Sequence, residues 1–119
     1  SSGNVYAKGA TPSRFDQNAI VRQHFYLGAR LVEKPDGWYL ELNVDSGWAL
    51  EPKRPLVTTE LLGRAKIPDL PFEQPDGSPL KLDSDYFGNP RESGAPFPGP
   101  IEITRSGKQE FKVWPKKRP

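Results

Sequence analysis

The sequence predicts an all-β fold, a compact antiparallel β-sandwich-like domain with long Pro/Gly-rich loops. Three observations lead there. Apolar Trp38, Leu40, Leu42 and Val44 alternate with Tyr39, Glu41 and Asn43 directly after a Pro35-Asp36-Gly37 turn, the pattern of a half-buried antiparallel strand. A second alternating run flanks Ser106-Gly107. Only one short stretch carries helical signals, and prolines crowd the region after it, where they exclude central strands.

The 119 residues make one domain, 1–119, enough chain to bury a core but not a generous one. Hydrophobic residues reach only 34%, and fourteen prolines and eleven glycines make up about a fifth of the chain. Three Trp, four Tyr and six Phe argue for a folded domain nonetheless, because disordered chains are poor in aromatics. Methionine is absent, so the chain reads as a piece of a longer polypeptide.

The elements follow in order. Residues 1–20 show no clear period, and Thr11-Pro12-Ser13 and Asp16-Gln17-Asn18 are turn signals. "VRQHFYLGARLVEK" is rich in β-formers, with Gly28 dividing it into two strands or marking a bulge. "RLVEKPDGWYLELNV" is a hairpin, Pro35 setting φ and Gly37 supplying a positive φ. "LVTTELLGRAKI" allows one to two helical turns, capped by Thr58 or Thr59 and ended by Gly63, or else a strand. Prolines at 68, 71, 75, 79, 90, 96, 98 and 100 make the next stretch a long ordered loop whose aromatics and leucines pack over a sheet. In "IEITRSGKQEFKVW", Ile101 and Ile103 before the turn and Phe111 and Val113 after it predict a second hairpin.

Charge narrows the partners. Net charge is +2, from 17 basic and 15 acidic residues of interspersed sign. The cluster Lys116, Lys117, Arg118 is a solvated end rather than a nucleic-acid site. No stretch approaches the ~18 apolar residues of a membrane span. Neither nucleic acid nor membrane is therefore expected as a partner.

Most chemistries lack their residues. Cysteine is absent, which excludes disulfides and thiolate metal sites. His24 is the single histidine, and a lone His in a strand-like run is more often structural than a base. Nucleophilic triads and His-rich metal sites are thus nearly excluded. Asp83 and Asp85 lie two apart, a spacing that turn-forming aspartates share with paired carboxylates. "DSDYFG" at Asp83 to Gly88 begins like a calcium loop, but Phe87 and Gly94 occupy positions where an EF-hand needs oxygen ligands. That leaves calcium as the candidate ion of a looser site built from Asp83, Asp85 and Asn89. The chain is not expected to be an enzyme, and an independent carboxylate hydrolase ranks last.

The aromatics carry more. A pyranose ring has an apolar CH face and a polar rim, and Trp and Tyr answer both. Trp38 and Trp114 are assigned to the small core. Trp48, after a Ser-Gly turn, and Tyr39, on the polar side of its strand, stay open between core and sugar platform. Tyr86 sits in the Pro/Gly loop. Lys53 and Arg54 in "EPKRP", with Arg91, could add polar or ionic contacts. The candidate ligand residues are therefore Trp48, Tyr39, Tyr86, Lys53, Arg54 and Arg91.

Two stretches resemble a known context. "NVYAKGATPSRFDQNAI" is similar to the passage following the last coils of secreted bacterial right-handed parallel β-helix proteins that act on glycans, and "GSPLKLDSDYFGNPR" with "PGPIEI" is similar to their closing segment. The resemblance covers the two ends of the chain. Such proteins include glycoside hydrolases and polysaccharide lyases whose catalytic residues lie on the coils. It therefore implies an ancillary C-terminal module, secreted or periplasmic, with Asp83, Asp85 and Arg91 structural and no catalytic residue carried over. Two functions follow: a non-catalytic carbohydrate-binding or ancillary module of a polysaccharide-degrading enzyme, or a capping or interdomain-packing module. Exposure of Trp48 and Tyr39 separates them.

Overall fold

The computed structural model describes residues 2–51 and 53–117. Along the chain come β1 (Val5–Ala7), β2 (Ile20–Arg22), β3 (Arg30–Lys34), β4 (Gly37–Val44), a 3₁₀ turn (Ser46–Ala49), α1 (Thr59–Leu62) and β5 (Gly107–Pro115). The fold is all-β, as the alternation predicts. β3, β4 and β5 form an antiparallel sheet in that order, and β1 and β2 form a parallel pair. The roughly dozen residues between β1 and β2 are the length a parallel crossover needs.

The β3–β4 hairpin matches its sequence signature. Lys34 pairs with Gly37, so Pro35 and Asp36 alone make the loop. Gly37 is needed for closeness: a Cβ there would lie 2.5 Å from the Trp114 carbonyl oxygen. α1 has the expected caps, with the Thr58 hydroxyl accepting from Leu61 N and Gly63 closing the turn at φ 70°. Gly28, also at positive φ, separates β2 from β3.

The second hairpin does not form. β5 pairs along β4 instead, from Val44 opposite Gly107 to Gly37 opposite Pro115, with a bulge between Trp38 and Tyr39. Ile101 and Ile103 are buried, as their spacing demands, but in irregular chain flanked by Pro98 and Pro100. Their alternation reports a covered face, and the prolines remove the donors a strand would need.

The core is small and sits at the C-terminal end of β4. Ile20, Val44, Trp48, Phe97, Ile101 and Ile103 are buried together, with Val5, Phe25, Leu27, Leu42, Ala49 and Phe111 packed around them. The segment from 64 to 106 is held by local turns and isolated bridges such as Arg64 with Pro71 and Ser84 with Pro90. Asp76 Oδ1, accepting from Ser78 N at 2.9 Å, closes the second Pro-Asp-Gly turn.

Candidate functional site

The sheet has a charged face and an apolar face. On the charged face, Glu41 is buried beneath Arg30 at 2.7 Å and Lys108 at 3.5 Å. The Arg30 hydrogen bond, against the cost of burial, holds the Glu41 carboxyl below the ordinary carboxylate range. Tyr39 lies on this face, across from Val32 and Lys112. Its hydroxyl donates to Asp36 at 2.9 Å, and Lys34 Nζ stands 4.4 Å from its ring centroid. One face of the Tyr39 ring is therefore already covered by a cation.

Three sequence candidates prove to be framework. Trp48 is 5% exposed, its ring edge-on to Phe25 at 4.8 Å, so it offers no stacking face. The Asp45 carboxylate, accepting from Gly47 N, starts the 3₁₀ turn that carries Trp48 inward. Arg54 is buried and donates to the carbonyls of Gly3, Trp48 and Glu51, tying the N-terminus to the loop after β4. Arg91 pairs with Glu102 at 3.2 Å and donates to the carbonyls of Phe97 and Gly99. A planar fork satisfies several carbonyls at once, which suits both arginines to bracing loops rather than meeting a ligand. Lys53 is exposed, and among the described residues it stands over no aromatic ring.

The calcium reading fails on geometry. Asp85 is buried, and its oxygens accept from the backbone N–H groups of Phe87, Asn89 and Glu102 and from the Asn89 amide. Burial pushes the Asp85 carboxyl up, but these donors outweigh it and hold the carboxyl below its ordinary range. Asp83 is exposed beside Lys81. Among the described residues no three His, Asp or Glu side chains gather to hold a metal ion.

What the structure does assemble is an aromatic end to the apolar face. Trp38 pairs across the sheet with Trp114, on the side that carries Leu40 and Phe111. Trp38 is 37% exposed and Trp114 66%. The loop turned by Asp85 brings Phe87 over Phe111, with ring centroids 6.1 Å apart, and Tyr86 edge-on to Phe87 at 5.1 Å. The Tyr86 hydroxyl donates to the Val113 carbonyl at 2.7 Å, and its ring remains 57% exposed. Glu33, the cross-strand partner of Trp38, pairs with Lys116 at the border. Of the sequence candidates only Tyr86 joins this face; Tyr39 lies on the other. Trp38 and Trp114, assigned to the core, are exposed instead. The alternation places Trp38 correctly on the apolar side, but the bulge that sets Trp114 opposite it has no sequence signal.

No family model and no curated protein matches the chain. Among solved structures, the complex structure of XylC with xylose is similar over 95% of this chain, with a TM-score of 0.81 and 28% identity. The chain spans 17% of that protein's length.

Proposed function

We propose that the chain is a non-catalytic carbohydrate-binding or ancillary module of a secreted or periplasmic bacterial enzyme that degrades polysaccharide, its parent being of the parallel β-helix type that its end segments resemble. The observation that carries this reading is the likeness over 95% of the chain to XylC, a protein solved with xylose. The aromatic end supports it with exposed Trp and Tyr rings of the kind that stack on pyranose CH faces. Electrophoresis through gels containing neutral or acidic polysaccharides tests it. Retardation by at least one glycan is expected. A chain that melts cooperatively and is retarded by none would count against glycan binding.

A second reading, a capping or interdomain-packing module, draws on the burial of Trp48, whose exposure would have marked a sugar platform, and on exposed apolar side chains, Leu61 of α1 and Ile67 and Leu70 of the proline-rich segment. An unretarded, cooperatively folded chain is the outcome that favours it.

A further inference from the structure

Resting on the glycan-binding reading, we propose that the ligand is a neutral pyranose chain laid across β4 and β5 on the Trp38–Trp114 pair, with Tyr86 at its edge. Two features set the shape. Cross-strand neighbours on one face have Cβ atoms about 4.5–5.5 Å apart, so the pairing sets the two indole side chains side by side on one face as a strip. At the same end of the sheet β4 and β5 approach so closely at Gly37 that no side chain fits against the Trp114 carbonyl. Tyr86 is anchored by its hydrogen bond to Val113, which leaves the phenol oxygen as an acceptor for a sugar hydroxyl.

Charge decides the ligand class. Glu33 and Lys116, which border the strip, are paired with each other. Behind the strip, Lys112 is held by Asp36 and Lys34 by Glu110. An acidic chain would meet Glu33 with its counter-charge already engaged, and of the neighbouring cations only exposed Lys117, beyond the end of β5, has no ion pair among the described residues. A neutral chain needs only ring faces and hydroxyl partners.

Calorimetric titration of the full chain with neutral xylo-oligosaccharides and with acidic oligogalacturonates, each at low and high ionic strength, tests the proposal. Neutral binding that is insensitive to salt is expected, weakened about tenfold by Trp38→Ala or Trp114→Ala and partly restored by Trp114→Phe. Tyr39→Phe, on the opposite face, should leave it unchanged. Thermal melts check that each variant folds. Preferred binding of the acidic chain, weakening with salt, overturns the proposal while sparing the module reading. So does neutral binding indifferent to both tryptophan substitutions. Absence of binding to either sugar and to the wider panel, in a cooperatively folded chain, overturns both.

Discussion

Trp48 and Trp38 flank the same strand, one just past the C-terminal end of β4 and the other near its start. Trp48 is enclosed by Phe25 and Phe97 and belongs to the core; Trp38 shares the apolar face with Leu40 and Val44 yet stays open to solvent. The cover makes the difference. The irregular segment holding Phe97, Ile101 and Ile103 lies over the Val44 end, while the Tyr86–Phe87 loop reaches toward the Trp38 end through Phe111 and Val113. An alternating strand settles which face is apolar, but the reach of the layer above settles how much of that face is core.

The largest test of this contrast is Trp48→Ala. Truncating a buried tryptophan costs about 3–5 kcal/mol through lost transfer energy and the cavity left behind, a large share of a small domain's stability. Denaturant unfolding should show a midpoint collapse or loss of the cooperative transition. A loss under about 1 kcal/mol would mean that the Val44 end is not the core, and the contrast would break.

Asp85→Asn probes the open end from beneath, because Asp85 shapes the loop that carries Tyr86 and Phe87. The new amide would set a donor against the donors now satisfied by Oδ2, from Glu102 N and the Asn89 amide. The expected loss is about 1–3 kcal/mol. The pH dependence follows from the depressed carboxyl. Its stabilisation is full above the unfolded-state value of about 4 and disappears as pH falls through the lower folded-state value. Wild type should therefore lose stability below about pH 4 more steeply than Asp85→Asn. Parallel acid melts would remove Asp85 from this role.

These two residues also show how far the sequence could be read. The β3–β4 hairpin and the α1 caps were legible because their signals are local: a turn triplet, an alternation, a Thr before and a Gly after. β5 was legible as a strand, but its partner was not. Ile101 and Ile103 offer the same period as Leu40 and Leu42, and only tertiary packing selects between them. β1, three residues long, carries no period at all. Arg54, Arg91 and Trp48 looked like ligand groups because a charged or aromatic residue in a loop reads the same whether it braces carbonyls or faces solvent. That aromatics near a loop would stand exposed was legible; which ones do was not, apart from Tyr86.

Trp48→Phe refines the first test. Trp48 Nε1 is buried without a hydrogen-bond partner among the described residues, an arrangement that costs about 1–3 kcal/mol in desolvation. Phenylalanine removes that donor and keeps an aromatic ring against Phe25, at the cost of a smaller side chain. The two effects oppose each other, so a net change within about 1 kcal/mol is expected in denaturant melts. A loss as large as that of Trp48→Ala would show that the indole's full volume, rather than aromatic contact, holds this end together.

The smallest stability effect belongs to Trp114→Ala. Its side chain lies largely in solvent at the end of an edge strand, so the loss is of the order of one cross-strand pair, about 0.2–1 kcal/mol. An exposed aromatic this unimportant to folding is free to serve a partner, whereas one that anchors the sheet is not. The discriminating quantity is the ratio of its two effects. A shift in the unfolding midpoint barely outside error, together with a marked loss of glycan affinity, places Trp114 in a binding face. A midpoint shift approaching that of Trp48→Ala would place it in the core, and the open end of β4 would then be structure rather than site.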